Sequence, residues 1–443
     1  MLPALKVSED RRHLVTTEGR PFFYLGDTAW DLFHRLNQNE AELYLRDRAA
    51  KGFNVIQAVA LAEADGLRVP NAYGEHALHG LSPERPNEAY FRHVDWVIER
   101  AEALGLYTAL LPTWGDKWNQ KWGLGPEIFT SANAEAYGEW LGRRYRERPI
   151  LWMLGGDRPP ETPAHRAIIR AMAAGLRRGD GGRHLITFHP SGEKGSAEYF
   201  HDEEWLDFNV RQNSHSVEFT PYAATRADFE RVPVKPVLDA EPVYEDIPIG
   251  LKTEQPVYST ATEVRRAFYW DVLSGACGHT YGHHSIWQFF EKGGSGKIAP
   301  LMSWKEALCQ PGAFHVGHGR RLIESRPVAG RQPDDEILVA SALAPGNGRA
   351  RCVATRGADG AFAMVYVPEG RAVEVRLDRI SGTAINAWRF DPRTGATVRL
   401  GTYPAGAIQR FAPPVRGELV DWVLVLDDAS RNWPAPGSSP AEA

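Results

Sequence analysis

The sequence has few of the features that would tie it to a membrane, a nucleic acid, a redox centre or a structural metal. Only three cysteines occur in 443 residues, Cys277, Cys309 and Cys352. Their spacing excludes a disulfide framework or a cysteine zinc site and suits buried thiols in a reducing compartment. No run of 18 apolar residues is present to span a bilayer. The first twenty residues carry Lys6, Glu9, Asp10, Arg11 and Arg12 with no apolar core of a secretion signal, so the sequence as written predicts a cytoplasmic protein. Basic residues are not in excess: 51 Lys and Arg against 56 Asp and Glu leave a net charge of −5, which argues against nucleic acid as a partner. A His-Glu-x-x-His pair, a Gly-x-Ser-x-Gly elbow and the glycine spacings that cradle phosphates or dinucleotides are all missing. Neither a cofactor nor a metal is expected.

Aromatic residues, by contrast, are plentiful, with 14 Trp. Most belong to a core, but indole faces also suit the C–H faces of sugars. Apolar runs alternate with helical patterns over the first 326 residues. Strands are predicted at 22–27, 53–60, 107–115, from Ile150, at 185–190, 207–216, 237–241 and 278–288. Helices are predicted at 39–51, capped by Asn39, and at 88–104, 133–148, 162–177 and 261–273. Eight such alternations predict a (β/α)8 TIM barrel, entered by a short β-hairpin. The segment 63–87, rich in Gly, Pro and Asn, reads as a long loop, either functional or disordered. From 327 to 430 the strands shorten and recur about every ten residues, at 337–344, 351–355, 361–368, 372–377, 384–391 and 422–427, as in a β-sandwich. The Pro- and Ser-rich residues 431–443 read as a disordered tail.

Carboxyl ends of barrel strands converge on one pocket. There the sequence places Asp27, Trp30, Gln57, Trp114, Asp157, Arg158, His189, Gln212, Asn213, His215, Asp239, Glu241, His283, His284 and Trp287. Polar groups at this density, with aromatic platforms, suit a polyhydroxylated small-molecule or oligosaccharide ligand. Asp157 follows the five apolar residues 150–154 and a Gly pair at the carboxyl end of one strand, and Glu241 ends another built the same way. Glycoside cleavage needs one carboxylic acid to protonate the leaving oxygen and one carboxylate to attack carbon or activate water, and strands facing across a barrel can hold the pair about 5 Å apart, as retention requires. Asp239 is expected to be structural, pointing the same way as Glu241 one layer deeper. Arg158 is expected to turn away from the Asp157 carboxyl, and Trp152 to help bury it. A rival reading gives His189, His215, His279, His283 and His284, with Asp157 and Glu241, to a metal-dependent, amidohydrolase-like site. A non-catalytic carbohydrate- or protein-binding protein is the other alternative, but a binder would need the tryptophans and not two facing acids.

Three segments, Gly26-Asp27-Thr28-Ala29-Trp30, Trp152-Met153-Leu154-Gly155-Gly156-Asp157 and Asp239-Ala240-Glu241-Pro242-Val243-Tyr244-Glu245, resemble the signature strands of the apiosidase-like glycoside hydrolases, related to glycoside hydrolase family 140. Phe390-Asp391-Pro392-Arg393-Thr394-Gly395 resembles the C-terminal module often joined to them, named as a collagen-binding domain. The resemblance implies a barrel hydrolase in which Asp157 is the acid/base and Glu241 the nucleophile. Asp27, Trp30, Gln57, Trp114, Arg158, His189, Gln212, His215, Tyr244, His284 and Trp287 are the candidate substrate-binding residues. It also implies exo-action releasing apiose or a similar terminal furanose. Members of the family usually carry a secretion signal, so its absence here favours a small imported glycoside over polymeric pectin.

Overall fold

A computed structural model describes residues 1–63, 65–216, 220–339, 348–417 and 419–438. A three-stranded antiparallel lead-in, β1 (Leu5–Val7), β2 (Leu14–Thr16) and β3 (Pro21–Phe22), precedes the barrel. The barrel strands are β4 (Tyr24–Thr28), β5 (Val55–Val59), β6 (Tyr107–Leu111), β7 (Ile150–Gly155), β8 (Ile186–His189), β10 (Asn209–Gln212), β11 (Val237–Asp239) and β12 (Gly278–Tyr281); β9 (Lys194–Gly195) is a short antiparallel strand on β10. The hydrogen-bonded order runs β8-β7-β6-β5-β4-β12-β11-β10-β9. The remaining seam, between β8 and β10, is bridged at its lower end. There Asp207 N donates to Ile186 O (2.9 Å), Thr187 Oγ1 to Phe208 O (2.7 Å) and Ile186 N to Asp207 Oδ2 (2.7 Å). The result is a nearly closed TIM-like barrel.

Alternation along each strand sorts the core into two layers. Tyr24, Val55, Val59, Tyr107, Ala109, Leu151, Met153 and Leu238 fill the barrel interior. Leu25, Ile56, Leu110, Trp152, Leu154 and Phe188 face the helices. Helix boundaries follow capping chemistry more closely than periodicity alone predicts. The helix expected at 39–51 is Gln38–Ala50, capped by Asn37 in a capping box with Glu40, so Asn39 is already inside it. Thr130 caps Ser131–Tyr145 and Thr162 caps Pro163–Asp180. The helix Ala261–Leu273 falls where expected.

The C-terminal domain is β-rich: β13 (Arg331–Pro333), β14 (Val353–Gly357), β15 (Phe362–Val367), β16 (Val373–Arg376), β17 (Ala384–Phe390), β18 (Thr397–Pro404), β19 (Ile408–Phe411) and β20 (Trp422–Asp428). Six of these form an antiparallel sheet, β13-β14-β15-β20-β17-β18, and β16 pairs with β19 in a second. In β15 and β20, Ala363, Val365, Leu424 and Leu426 face the domain interior, whereas Phe362, Met364, Tyr366, Val423 and Val425 join the large core shared with the barrel helices. The helix Ala261–Leu273 receives that face: Tyr269 stacks on Tyr366 with centroids 4.7 Å apart, Trp270 Nε1 donates to Arg351 O (2.9 Å), and buried Arg265 pairs with buried Asp421 (2.9 Å). Arg326 pairs with Asp427 (2.7 Å) beside them. Of the strand expected at 337–344, Ile337 ends a 3-10 turn (Asp335–Ile337), Leu338 bridges Val375 of β16 in antiparallel fashion and Val339 N donates to Glu374 O (3.0 Å), while residues 340–344 lie outside the described residues. The tail is not free over 431–438: the Trp433 ring contacts Phe362 at 6.0 Å, and the carbonyls of Pro434 and Pro436 accept from Arg326 and Thr397. Those carbonyls and that ring have partners, which composition does not reveal; residues 439–443 lie outside the described residues.

Candidate active site

Strand β7 ends in three consecutive left-handed residues, Gly155 (φ +96°), Gly156 (φ +98°) and Asp157 (φ +57°). A Cβ on Gly155 would lie 2.3 Å from His189 O, and one on Gly156 2.7 Å from Gly115 N. The two glycines are therefore required both by conformation and by contact, and Asp is among the few side chains that tolerate the third position. Backbone bonds pin the turn: Gly115 N donates to Gly156 O (3.0 Å) and Gly156 N to His189 O (3.2 Å).

The turn delivers Asp157 into a cavity of about 1010 Å³. Loops following all eight parallel strands contribute to its wall, from Trp30 after β4 to Trp287 and Lys297 after β12. Glu241 lines the same cavity. Strand β11 stops at Asp239 and the chain bends through Ala240, so Glu241 turns inward while Asp239 faces the helix layer. Asp239 is structural as expected, but the bend puts it on the opposite face from Glu241. Its Oδ2 accepts from Asn213 Nδ2 (2.9 Å) and its Oδ1 from Glu241 N (3.1 Å).

The two carboxyls have opposite environments. Glu241 Oε2 lies 3.0 Å from His189 Nε2 and Oε1 lies 3.4 Å from His215 Nε2. Burial would raise the Glu241 pKa, but the two imidazoles outweigh it and hold the carboxyl well below its usual range. The Asp157 pKa is raised from 3.8 to about 6 by burial and by the charge of Glu241, against the opposing pull of Arg158 and His189. Its side chain keeps 27% of its surface open to the cavity. Arg158 does not turn away as expected. Its Nη1 reaches back to Asp157 Oδ2 (2.8 Å) and to Asp157 O (2.8 Å), because the left-handed turn swings the carboxyl onto the side where the guanidinium lies. Trp152 does not shelter Asp157 either; it is an outward residue of β7 whose Nε1 donates to Asp180 Oδ2 (2.9 Å).

Of the other candidates, Trp30, Trp114, Arg158, Gln212, His215, Tyr244 and Trp287 line the cavity. Trp30 and Trp114 pack with centroids 5.2 Å apart, and Trp30 Nε1 donates to Tyr244 OH (3.2 Å). His189 is fully buried between Trp30 and Glu241, so it acts on the carboxylate and not on a ligand. Three further candidates, like His189, do not reach the cavity. Asp27 is an outward residue of β4, paired with Arg48 Nε (3.0 Å) and Tyr44 behind the barrel wall. Gln57 points inward below the site, where Nε2 donates to Ala240 O (2.8 Å) and Oε1 accepts from Tyr24 OH (3.0 Å). His284 has both ring nitrogens engaged, by Ile298 O (2.9 Å) and Trp287 Nε1 (3.3 Å), and burial lowers its pKa to about 4. His283 faces Asp246 (3.3 Å).

The histidines of the metal reading thus have separate partners: His189 and His215 face Glu241, His279 faces Asp271, His283 faces Asp246 and His284 faces Ile298 O. Among the described residues, the one group with potential ligand atoms within 4.8 Å of one another is Asp239, Asp271 and His279, behind β11. Its carboxylates already accept from Asn213, Thr225 and Glu241 N, and His279 Nδ1 lies 3.2 Å from Asp271 Oδ2. Sequence reasoning missed Glu63, Lys297 and Trp122. Glu63 and Lys297 pair across the wall at 3.0 Å, and all three sit in loops with no periodicity to reveal them.

A barrel with a low-pKa and a high-pKa carboxyl in a crater of indole rings has the architecture of a glycoside hydrolase, and comparison with known proteins agrees. Residues 8–330 match the family described as apiosidase-like, catalytic domain, and the chain belongs to that family; it is an O-glycosyl hydrolase. Residues 332–427 match a second family, "Putative collagen-binding domain of a collagenase". A solved structure titled glycoside hydrolase is 32% identical, with 98% of each chain covered and a TM-score of 0.89. Another, titled a glycoside hydrolase family 5 from Bacteroides vulgatus, is 32% identical over 97% of this chain and 95% of that one, with a TM-score of 0.88. Mannan endo-1,4-beta-mannosidase 3 of Oryza sativa subsp. japonica is 25% identical over 230 residues, 44% of this chain, and the chain spans about half (47%) of that relative's length.

Proposed function

We propose that the protein is an exo-acting, retaining glycoside hydrolase that releases a terminal sugar, apiose or a similar furanose, with Asp157 as acid/base and Glu241 as nucleophile. The observation that carries this reading is the opposite charge preference of two carboxyls in one cavity. Glu241, kept ionised by His189 and His215, attacks the anomeric carbon. Asp157, kept protonated by burial and by the charge of Glu241, gives its proton to the departing glycosidic oxygen. Oδ2 of Asp157 already accepts from Arg158 Nη1 and faces Trp122 Nε1, so the acid proton belongs on Oδ1. In the second step the Asp157 carboxylate takes a proton from water as that water displaces Glu241 from the sugar. Exo-action is carried over from the family. The furanose assignment rests on family membership alone.

The test is a panel of aryl furanosides and pyranosides, with β-mannosides included because of the rice relative. Turnover should vanish in Glu241→Gln while sugar binding persists. Proton NMR of the first-formed anomer decides between retention and inversion.

A further inference from the structure

We propose that Trp122 is the platform of a leaving-group subsite, on which an aryl ring or the apolar face of a second sugar stacks as its bond to the released sugar is broken. This rests on Asp157 being the acid. The cavity holds four indoles of two kinds. Trp30, Trp114 and Trp287 are buried in its walls, whereas Trp122 is 58% exposed on the loop after β6. Leu124 and Leu251, exposed at 57% and 47%, share the rim with it, so the apolar surface at the mouth is contiguous with the cavity.

An exposed loop tryptophan is ordinarily placed by nothing, but this one is held. Its Nε1 lies 3.4 Å from Asp157 Oδ2, and the guanidinium carbon of buried Arg158 sits 4.9 Å from its ring centroid. The loop around it is anchored: Gly125 N donates to Asp116 Oδ2 (2.9 Å), and a Cβ on Gly123 would meet Asp116 Cβ at 2.3 Å and Arg158 Nη2 at 2.8 Å. The indole is therefore fixed against the acid, with Lys121 Nζ also 4.9 Å from its ring centroid and more than half of its surface open to solvent.

Acid catalysis assigns the side. The glycosidic oxygen must come within hydrogen-bond reach of the Asp157 carboxyl, and the group beyond that oxygen departs past the acid, away from Glu241. Trp122 touches the same carboxyl, so the departing group and the indole occupy neighbouring space. A flat apolar-faced group is the chemistry an exposed indole recognises.

The experiment compares two substrates of the same sugar that the wild type cleaves, a 4-nitrophenyl glycoside and the glycosyl fluoride, whose leaving group is a single atom. Trp122→Ala should raise KM for the aryl glycoside about tenfold and leave KM for the fluoride within about twofold. Trp122→Phe, which keeps a ring and loses the N–H, should hold the aryl KM within about threefold of wild type and so separate stacking from the contact to Asp157. An equal rise on both substrates would place Trp122 against the released sugar and overturn the proposal, as would no rise on either. Failure of the hydrolase reading is distinct, because it would appear in the unmodified protein as no cleavage of any glycoside.

Discussion

Replacing Arg158 by Met tests the electrostatics of the acid most directly. Met keeps the apolar stem that packs under Gly115 and removes the guanidinium, whose Nη1 lies 2.8 Å from Asp157 Oδ2. That charge favours the ionised form of Asp157, so its loss should raise a pKa already near 6. Two unit charges 4 Å apart attract by about 4 kcal/mol at the effective dielectric near a protein surface. A hydrogen bond to a charged group contributes about 1.5–3 kcal/mol net. The Asp157 side chain is 27% open to the cavity, so the lower end applies, which is about one pKa unit. The alkaline limb of kcat/KM for a glycoside with a poor leaving group should therefore move from about pH 6 to about pH 7. The protonated fraction at pH 7 would then grow about fivefold. The acidic limb, set by Glu241, lies below the ordinary carboxylate range, since the folded site depresses that group. A dinitrophenyl glycoside, which leaves without a proton, should show little alkaline limb in either protein. An alkaline limb that stays put or moves down in Arg158→Met would refute the reasoning, because Arg158 would then not be acting on the acid.

Asp157→Ala should slow glycosides with poor leaving groups by about 10²–10⁴-fold, spare nitrophenyl glycosides far more, and be partly rescued by azide; Glu241→Ala should abolish both activities. Equal losses on good and poor leaving groups would remove Asp157 from the acid role. Gly156→Ala forces a Cβ to 2.7 Å from Gly115 N at φ +98°, and should cost about 1–3 kcal/mol in denaturant unfolding together with most of the activity. Asp421→Ala strands buried Arg265 and should destabilise the protein by about 3–5 kcal/mol in the same assay. Exhaustive chelation should leave turnover intact, and loss restored by zinc would favour the metal reading.

Much of the architecture is legible in the sequence because buried parallel strands are short apolar runs and the helices between them are amphipathic. Asp157 and Glu241 are legible too, as carboxylates after such runs. Two of the errors share one cause, that a residue near a strand end can face either way. Asp27 lies inside β4 and follows its alternation outward to Arg48, whereas Glu241 lies past a bend that alternation does not describe. Gln57 and His284 have the right polarity, but their partners, Ala240 O and Ile298 O, are distant in sequence. Trp122 belongs to a loop whose placement depends on the Asp116 carboxylate and on glycines pressed against Arg158, contacts that no periodicity encodes.

The helix Ala261–Leu273 works as a beam loaded at both ends. On one side Arg265, Tyr269 and Trp270 bear on the C-terminal sheet. On the other, Asp271 accepts from Asn213 (3.3 Å), whose amide also donates to Asp239, and Asp239 in turn fixes the backbone of Glu241. The C-terminal domain thus sits a few bonds behind Glu241, and none of its described residues lines the cavity. Cutting it away would be felt as a misaligned Glu241, with kcat falling before KM, and restoring the missing sheet face would matter more than restoring any one of its residues.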